Sequence, residues 1–257
     1  MWYVGLVAAL GVAVVAFGVA LLRGRRYDLI DAAWGVMFIA IAWAYVAITP
    51  WNWASALMAV LVSVWGGRLA WHIFWRWARA PGEDRRYSEL RQRWLQRAIA
   101  LQVFVRIYLV QVVLAVIIAL PIALFIAVGP KLDWFVAAGA LVWLVGVTAE
   151  TVADAQLKAF KATKNSAGKI MSQGLWRYSR HPNYFGEMLL WWGIGIMGLG
   201  QVYGFWGLIG PVIITLLLRF VSGVPPAEKS MAKKAGWQQY KARTPAVVPW
   251  RLLLETW

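Results

Sequence analysis

Residues 2–28 read WYVGLVAALGVAVVAFGVALLRGRRYD: twenty-one uncharged residues, then Arg23, Arg25 and Arg26 within four positions. At 1.5 Å per helical residue the uncharged run is roughly as long as a bilayer's hydrocarbon core is thick. No positive charge precedes it and it exceeds the apolar part of a signal peptide, so it is expected to stay as a first span. Working outward, apolar runs recur at 29–48, 53–75, 99–128, 133–157, 184–200 and 204–221. They predict an all-α, polytopic membrane protein with seven transmembrane helices in one domain, 1–257. Composition agrees, because 61% of the 257 residues are hydrophobic and only 14% are charged, where a soluble domain carries about 25%. The chain has no cysteine and two histidines without a ligand cluster, which excludes thiol chemistry and argues against a protein-held metal.

A net charge of +15 would suggest nucleic acid in a soluble chain, but here the charges sort by side. Residues 23–28 hold three arginines, 76–98 hold seven, 158–183 hold six Lys or Arg, and the tail after Val221 holds six. The opposite connections, 49–52, 129–132 and 201–203, contain only Lys131. The positive-inside rule then puts the N-terminus outside and the C-terminus in the cytoplasm, with no nucleic-acid partner called for. Carboxylates weigh little in topology, yet all of the eleven except Asp133 fall in or beside the basic half. Acids at span depth are costly unless paired or wetted, so a mixed-charge cavity is expected there.

Glu150, Asp154, Lys158 and Lys161 follow at i, i+4, i+8 and i+11, one helical stripe that is acidic first and basic last. Carboxylates accept from ribose hydroxyls and amides, and ammonium groups meet phosphates, so a nucleotide could lie along it; a salt-bridged helix is the other reading. The loop Gln173-Gly174-Leu175-Trp176-Arg177-Tyr178-Ser179-Arg180-His181-Pro182-Asn183-Tyr184-Phe185-Gly186-Glu187 comes next. Pro182 suits a helix's first turn, whose free N–H groups would face an anion near Arg180 and His181. Asn183 and Glu187 lie four apart on that helix. Gly66-Gly67 and Gly193-x-Gly195 suit close helix packing, and no G-x-G-x-x-G follows a strand, which rules out a soluble Rossmann domain. The tryptophans suit interfacial anchoring and packing.

The run Asn183-Tyr184-Phe185-Gly186-Glu187 after a basic loop resembles the C-terminal signature of the steroid 5α-reductase-like membrane oxidoreductases. More distantly, Arg180-His181-Pro182-x-Tyr184 resembles the isoprenylcysteine and phospholipid methyltransferases. Glu150-Thr151-Val152-Ala153-Asp154-Ala155-Gln156-Leu157-Lys158 is similar to the reductase segment that holds the NADPH nucleotide. Gly82-Glu83-Asp84-Arg85-Arg86-Tyr87, Ser222-Gly223-Val224-Pro225 with Glu228, and Tyr240-Lys241-Ala242-Arg243-Thr244 resemble a bacterial branch of that family, which implies a bacterial inner membrane. The resemblance implies NADPH as cofactor, bound by Glu83, Asp84, Arg86, Glu150, Asp154, Lys158, Lys161, Asn165, Arg180, His181, Asn183, Tyr184, Glu187, Arg219 and Glu228. It further implies 1–128 as substrate-side helices, 129–257 as cofactor-binding helices and loops, and reduction of a carbon–carbon double bond conjugated to a carbonyl in a steroid-like substrate.

The resemblance departs in the N-terminal spans, which lack the family's carbonyl-gripping glutamate and offer Asp31, Trp34, Tyr45, Asn52, Trp53, Arg68 and His72. Tyr87, assisted by Asp31, is the expected carbonyl donor, or else a cofactor contact. Trp34, Asn52 and Trp53 are the expected substrate contacts, with the hydrophobic enone admitted from the outer-leaflet half. Two other classes remain open: a lipid or isoprenylcysteine methyltransferase using S-adenosylmethionine, and a non-enzymatic lipid-binding protein.

Overall fold

A computed structural model of the chain describes residues 3–92, 94, 97–163, 166 and 168–249. Among them every regular element is helical and no strand occurs. Six helical runs are long and apolar enough to cross a membrane: Tyr3–Leu22, Leu29–Ile48, Trp53–Arg79, Ile99–Ile118, Trp134–Ala162 and Gly204–Met231. The chain is therefore an integral, multi-pass membrane protein, and exposed side chains such as Val7, Val15, Leu141 and Leu144 face lipid. Pro182–Gly198, the sixth of the seven expected spans, has 17 residues. At 1.5 Å each it reaches only about 25 Å.

The chain divides into two compact units, residues 1–132 with 201–207 and residues 133–200 with 208–257. The first unit contains α1 (Tyr3–Leu22), α2 (Leu29–Ile48), α3 (Trp53–Arg79), α4 (Arg85–Gln92), α5 (Ile99–Ile118) and α6 (Leu120–Ala127). α1 buries Gly5, Ala9, Ala13, Ala16 and Ala20, one small-residue stripe at helical spacing. Asn52 caps α3 by accepting from the amides of Ala54 at 2.8 Å and Ser55 at 3.2 Å. The expected single span 99–128 is broken at Ala119, because Pro121 has no N–H to continue the ladder and its ring crowds the preceding turn. Within α5, Phe104–Tyr108 forms a π turn, and the Tyr108 hydroxyl donates to the Tyr27 carbonyl at 3.1 Å.

The second unit contains α7 (Trp134–Ala162), α8 (Leu175–Tyr178), α9 (Pro182–Gly198), α10 (Ile209–Leu216), α11 (Val224–Met231) and α12 (Trp237–Arg243). Pro182 opens α9 as the sequence predicts. α7 outruns its apolar stretch by more than a turn, so Lys158 and Lys161 remain helical and exposed. α7 and α9 run antiparallel in backbone contact through two glycine pairs spaced by seven residues, Gly139 with Gly193 and Gly146 with Gly186. A Cβ added to Gly146 would lie 2.4 Å from the Leu190 amide nitrogen, and one added to Gly186 would lie 2.5 Å from that of Glu150.

Backbone cannot yield as a side-chain tip can, so Gly146→Ala is expected to lower stability by about 3 kcal/mol or more. Gly67, half of the expected Gly66-Gly67 contact, has nothing within 4 Å of an added Cβ, whereas Gly66 meets the Gly35 carbonyl oxygen at 2.7 Å. Gly67→Ala is thus the matched control, expected to melt like the parent in detergent. Equal melting of the two variants would contradict the α7–α9 contact.

Candidate functional site

In the first unit a polar network gathers where α2 begins and α3 ends. Arg26 donates to the last-turn carbonyls of α3, Trp77 at 2.7 Å and Ala80 at 3.2 Å, and lies over the Trp77 ring. Asp28 accepts from Trp77 Nε1 and from the Asp84 amide, each at 3.0 Å. Glu83 accepts from the Tyr27 amide at 3.0 Å and pairs with Arg91. The segment 82–91 is thereby fastened to 26–31. α4 buries one residue, Tyr87, whose hydroxyl donates to Asp31 Oδ1 in the first turn of α2. Arg86 Nη2 reaches Asp31 Oδ2 at 3.1 Å and Asp84 Oδ2 at 3.0 Å.

The electrostatics follow from these contacts. Burial raises the Glu83 carboxyl above its usual range, while hydrogen bonds from Arg86 hold Asp84 below it. Burial first and the nearby Asp31 second push the Tyr87 phenol well above its ordinary value, so it stays protonated and serves as a donor. Asp31 and Arg76 line a polar cleft of about 520 Å³. An apolar groove of about 730 Å³ runs among α1, α2 and α3, lined by Val12, Val15, Ala33, Val36, Trp71 and Phe74. Phe74 in the groove stacks on Trp77 in the cleft, ring centres 5.7 Å apart.

The structure thus joins Tyr87 to Asp31. Glu83, Asp84 and Arg86, named for the cofactor, are engaged with Tyr27, Arg91, Asp28 and Asp31. The groove lies at the ends of α2 and α3 beside the basic connections, whereas the sequence reading puts the enone at the opposite ends. Asn52 at that opposite end is a helix cap that also donates to the Pro130 carbonyl at 2.9 Å, and Trp53 is exposed against Trp51. Trp34 packs edge-on against Phe38, and none of the three lines the groove.

In the second unit the glycine pairs bring the polar end of α7 against the start of α9. Asn183 Nδ2 donates to Asp154 Oδ1 at 3.2 Å, and Glu150, one turn earlier, is buried at 4% exposure. Asn183 Oδ1 is buried with no hydrogen-bond partner among the described residues. Glu187 follows Asn183 by one turn, half-buried. Trp176 Nε1 donates to the Ala153 carbonyl at 3.1 Å and Gln156 accepts from the Leu175 amide at 3.0 Å, which ties the loop to α7.

Arg180 and His181 behave differently from the expected phosphate donors. Arg180 Nε and Nη2 bond Glu228 Oε1 at 2.8 and 2.7 Å, and Nη1 donates to the carbonyls of Lys241 at 3.1 Å and of Thr244. Arg180 and Glu228, both named for the cofactor, are matched to each other and to the C-terminal segment. Burial pushes the His181 imidazole down to about 4, so it is neutral at pH 7 and offers a phosphate no charge. Its ring stacks on Tyr184 at 5.2 Å, and Nε2 faces Glu228 at 3.5 Å. Arg219 lies over its neighbour Phe220. Asn165 lies outside the described residues.

Several partners escape a sequence reading: Trp77 for Asp28, Arg91 for Glu83, and the Arg180 clamp on Lys241 and Thr244. Trp77 is one tryptophan among nineteen and 49 positions from Asp28, Arg180 is 61 from Lys241, and Arg91, though only eight from Glu83, is one of seven arginines in 76–98; only Asp28, set just before an apolar run, carries a local signal.

No curated protein and no solved structure matches the chain. One family model does, described as "Protein of unknown function (DUF1295)", and because it matches residues 16–244, most of the length, the chain belongs to the DUF1295 family.

Proposed function

We propose that the protein is an NADPH-dependent membrane reductase that saturates a carbon–carbon double bond conjugated to a carbonyl in a hydrophobic, steroid-like substrate. The observation that carries this reading is the unpartnered Asn183 Oδ1 beside Asp154 and buried Glu150. An acceptor set of that kind fits the amide and hydroxyl donors of a nucleotide. In the second unit Asn183, Asp154 and Glu150 would hold those donors, and the exposed Lys158 and Lys161 would meet its phosphates. Bound NADPH supplies a hydride. In the first unit Tyr87 is the donor for a substrate carbonyl, and the apolar groove takes the hydrocarbon body. The likeness of 150–158 and 183–187 to steroid 5α-reductase-like segments supports the same assignment. With α9 as a seventh crossing, accommodated by local thinning of the bilayer, the basic connections share the cytoplasmic face of a bacterial inner membrane.

A second reading has a specific observation behind it. Because Arg180 is saturated and His181 is uncharged, fewer cations remain for a diphosphate, which favours S-adenosylmethionine and methyl transfer. Titration of the purified protein with NADPH, NADH and S-adenosylmethionine separates the two. NADPH is expected to bind more tightly than NADH, with the preference shrinking as salt rises. Asp154→Ala should weaken NADPH about tenfold, the scale of one lost hydrogen bond to a charged group. Equal affinity for the two dinucleotides, or tight binding of S-adenosylmethionine alone, would overturn the reductase assignment.

A further inference from the structure

The apolar groove of the first unit opens sideways, because Val7 and Val15 of α1, Val36 of α2, and Trp71 and Phe74 of α3 line it and are all exposed. In a membrane-spanning unit such a mouth faces hydrocarbon, so its occupant comes from the bilayer. Along α1 the wall runs from Val7 to Val19, which at 1.5 Å per residue is about 18 Å. One leaflet is about 15 Å, half of the hydrocarbon core. Small residues keep the groove open: Gly11 and Gly67 both line it, and neither has anything within 4 Å of an added Cβ.

The groove ends at a charged rim, where Arg23 follows Val19 by one turn and Arg76 follows Phe74 by two residues. On α3, Trp71, Trp75 and Arg79 succeed one another at i, i+4 and i+8: the two rings meet edge-on at 5.2 Å, and the Arg79 guanidinium lies 4.9 Å from the centre of the Trp75 ring. A cation is thus held one ring beyond the groove wall. The five carboxylates of the unit are paired with other arginines: Asp28 with Arg26, Asp31 and Asp84 with Arg86, Glu83 with Arg91, and Glu89 with Arg85. The charge of Arg76 acts on Asp31 and Asp84 from beyond ion-pair distance, and among the described residues neither Arg76 nor Arg79 forms an ion pair. We infer that the groove seats one acyl chain of an anionic phospholipid, with its phosphate on Arg76 and Arg79 at the rim. A guanidinium fork matches phosphate oxygens, and basic residues at a span's end draw anionic lipid. A zwitterionic head brings an ammonium of its own against the same two cations. The site stands without the reductase reading; on that reading the lipid competes with the substrate for the groove.

The experiment titrates the delipidated full chain in detergent with phosphatidylglycerol and with phosphatidylcholine of the same acyl chains, and counts bound lipid by native mass spectrometry. The parent should bind phosphatidylglycerol at least tenfold more tightly. The double variant Arg76→Gln/Arg79→Gln should bring phosphatidylglycerol down to the level of phosphatidylcholine. Gly67→Leu and, independently, Gly11→Leu put a side chain into open groove, so each should melt like the parent without lipid yet weaken phosphatidylglycerol at least tenfold with both arginines in place. Two glycine positions are used so that one still reports should the other melt early. The inference is overturned if the parent shows no preference, if the arginine double variant keeps it, or if the glycine variants bind phosphatidylglycerol like the parent. No arm needs turnover: a protein that binds lipid in this way but reduces no enone sinks the reductase reading alone, and an active reductase without the preference sinks the lipid site alone.

Discussion

Tyr87→Phe is expected to cut reduction of a 3-oxo-Δ4 steroid or another enone about a hundredfold or more while NADPH affinity stays at the parent's value, as for loss of one oxyanion donor. The substitution removes only a hydroxyl that is buried and held protonated, and that bonds Asp31. A phenol has one proton, and in the structure Tyr87 gives it to Asp31 Oδ1. To polarise a carbonyl that proton must turn away, so Asp31 has to take up a proton, from water in the cleft it lines, to become a donor to the phenol oxygen. Asp31→Asn supplies such a donor permanently and should retain most turnover, whereas Asp31→Ala should fall toward the level of Tyr87→Phe. The measurement is NADPH oxidation with a set of enones beside nucleotide titration of each variant. Full turnover by Tyr87→Phe would remove the phenol from the reaction, and failure of Asp31→Asn alone would mean that the carboxylate's charge, not its hydrogen bonding, matters.

Six of the seven expected spans were legible because a bilayer imposes one requirement, length without charge, that a run such as 2–22 meets on its face. The break at Ala119 was equally written in the sequence, in Pro121, but an unbroken apolar run hid it. The α7–α9 contact depends on Gly139, Gly146, Gly186 and Gly193; spacing by seven marks each pair as one face, yet nothing local says which faces meet. The same limit governs the polar residues. Tyr87 and Asp31 lie 56 positions apart, so their hydrogen bond is a property of the fold and not of either motif. An arginine before a helix N-terminus reads as an anion donor until Glu228, 48 positions on, is found against it. Hydrophobic pattern reports where a segment sits, whereas the role of a charge depends on which distant charge the fold delivers to it.

Arg180→Ala is the substitution for which that difference has the largest consequence for stability. The guanidinium is 9% exposed and its partner Glu228 17%, so removing it strands a carboxylate with little water and leaves the carbonyls of Lys241 and Thr244 without their donor. Breaking a largely buried pair in this way costs about 3 kcal/mol or more, against at most about 1 kcal/mol for an exposed one. On a chain of this size such a loss lowers the melting midpoint by roughly 6–12 °C. Glu228→Ala should fall by a similar amount, because the stranded charge is then the arginine. Lys158→Ala, at an exposed position on α7, should melt like the parent. Hydrogen exchange gives the local readout: the Lys241–Thr244 stretch, held by the Arg180 side chain through two carbonyls, should lose protection in Arg180→Ala before the α7–α9 pair does. An Arg180→Ala protein that melts normally and differs only in weaker nucleotide binding would return this arginine to the cofactor, because a phosphate donor is missed by its ligand and a clamp is missed by the fold.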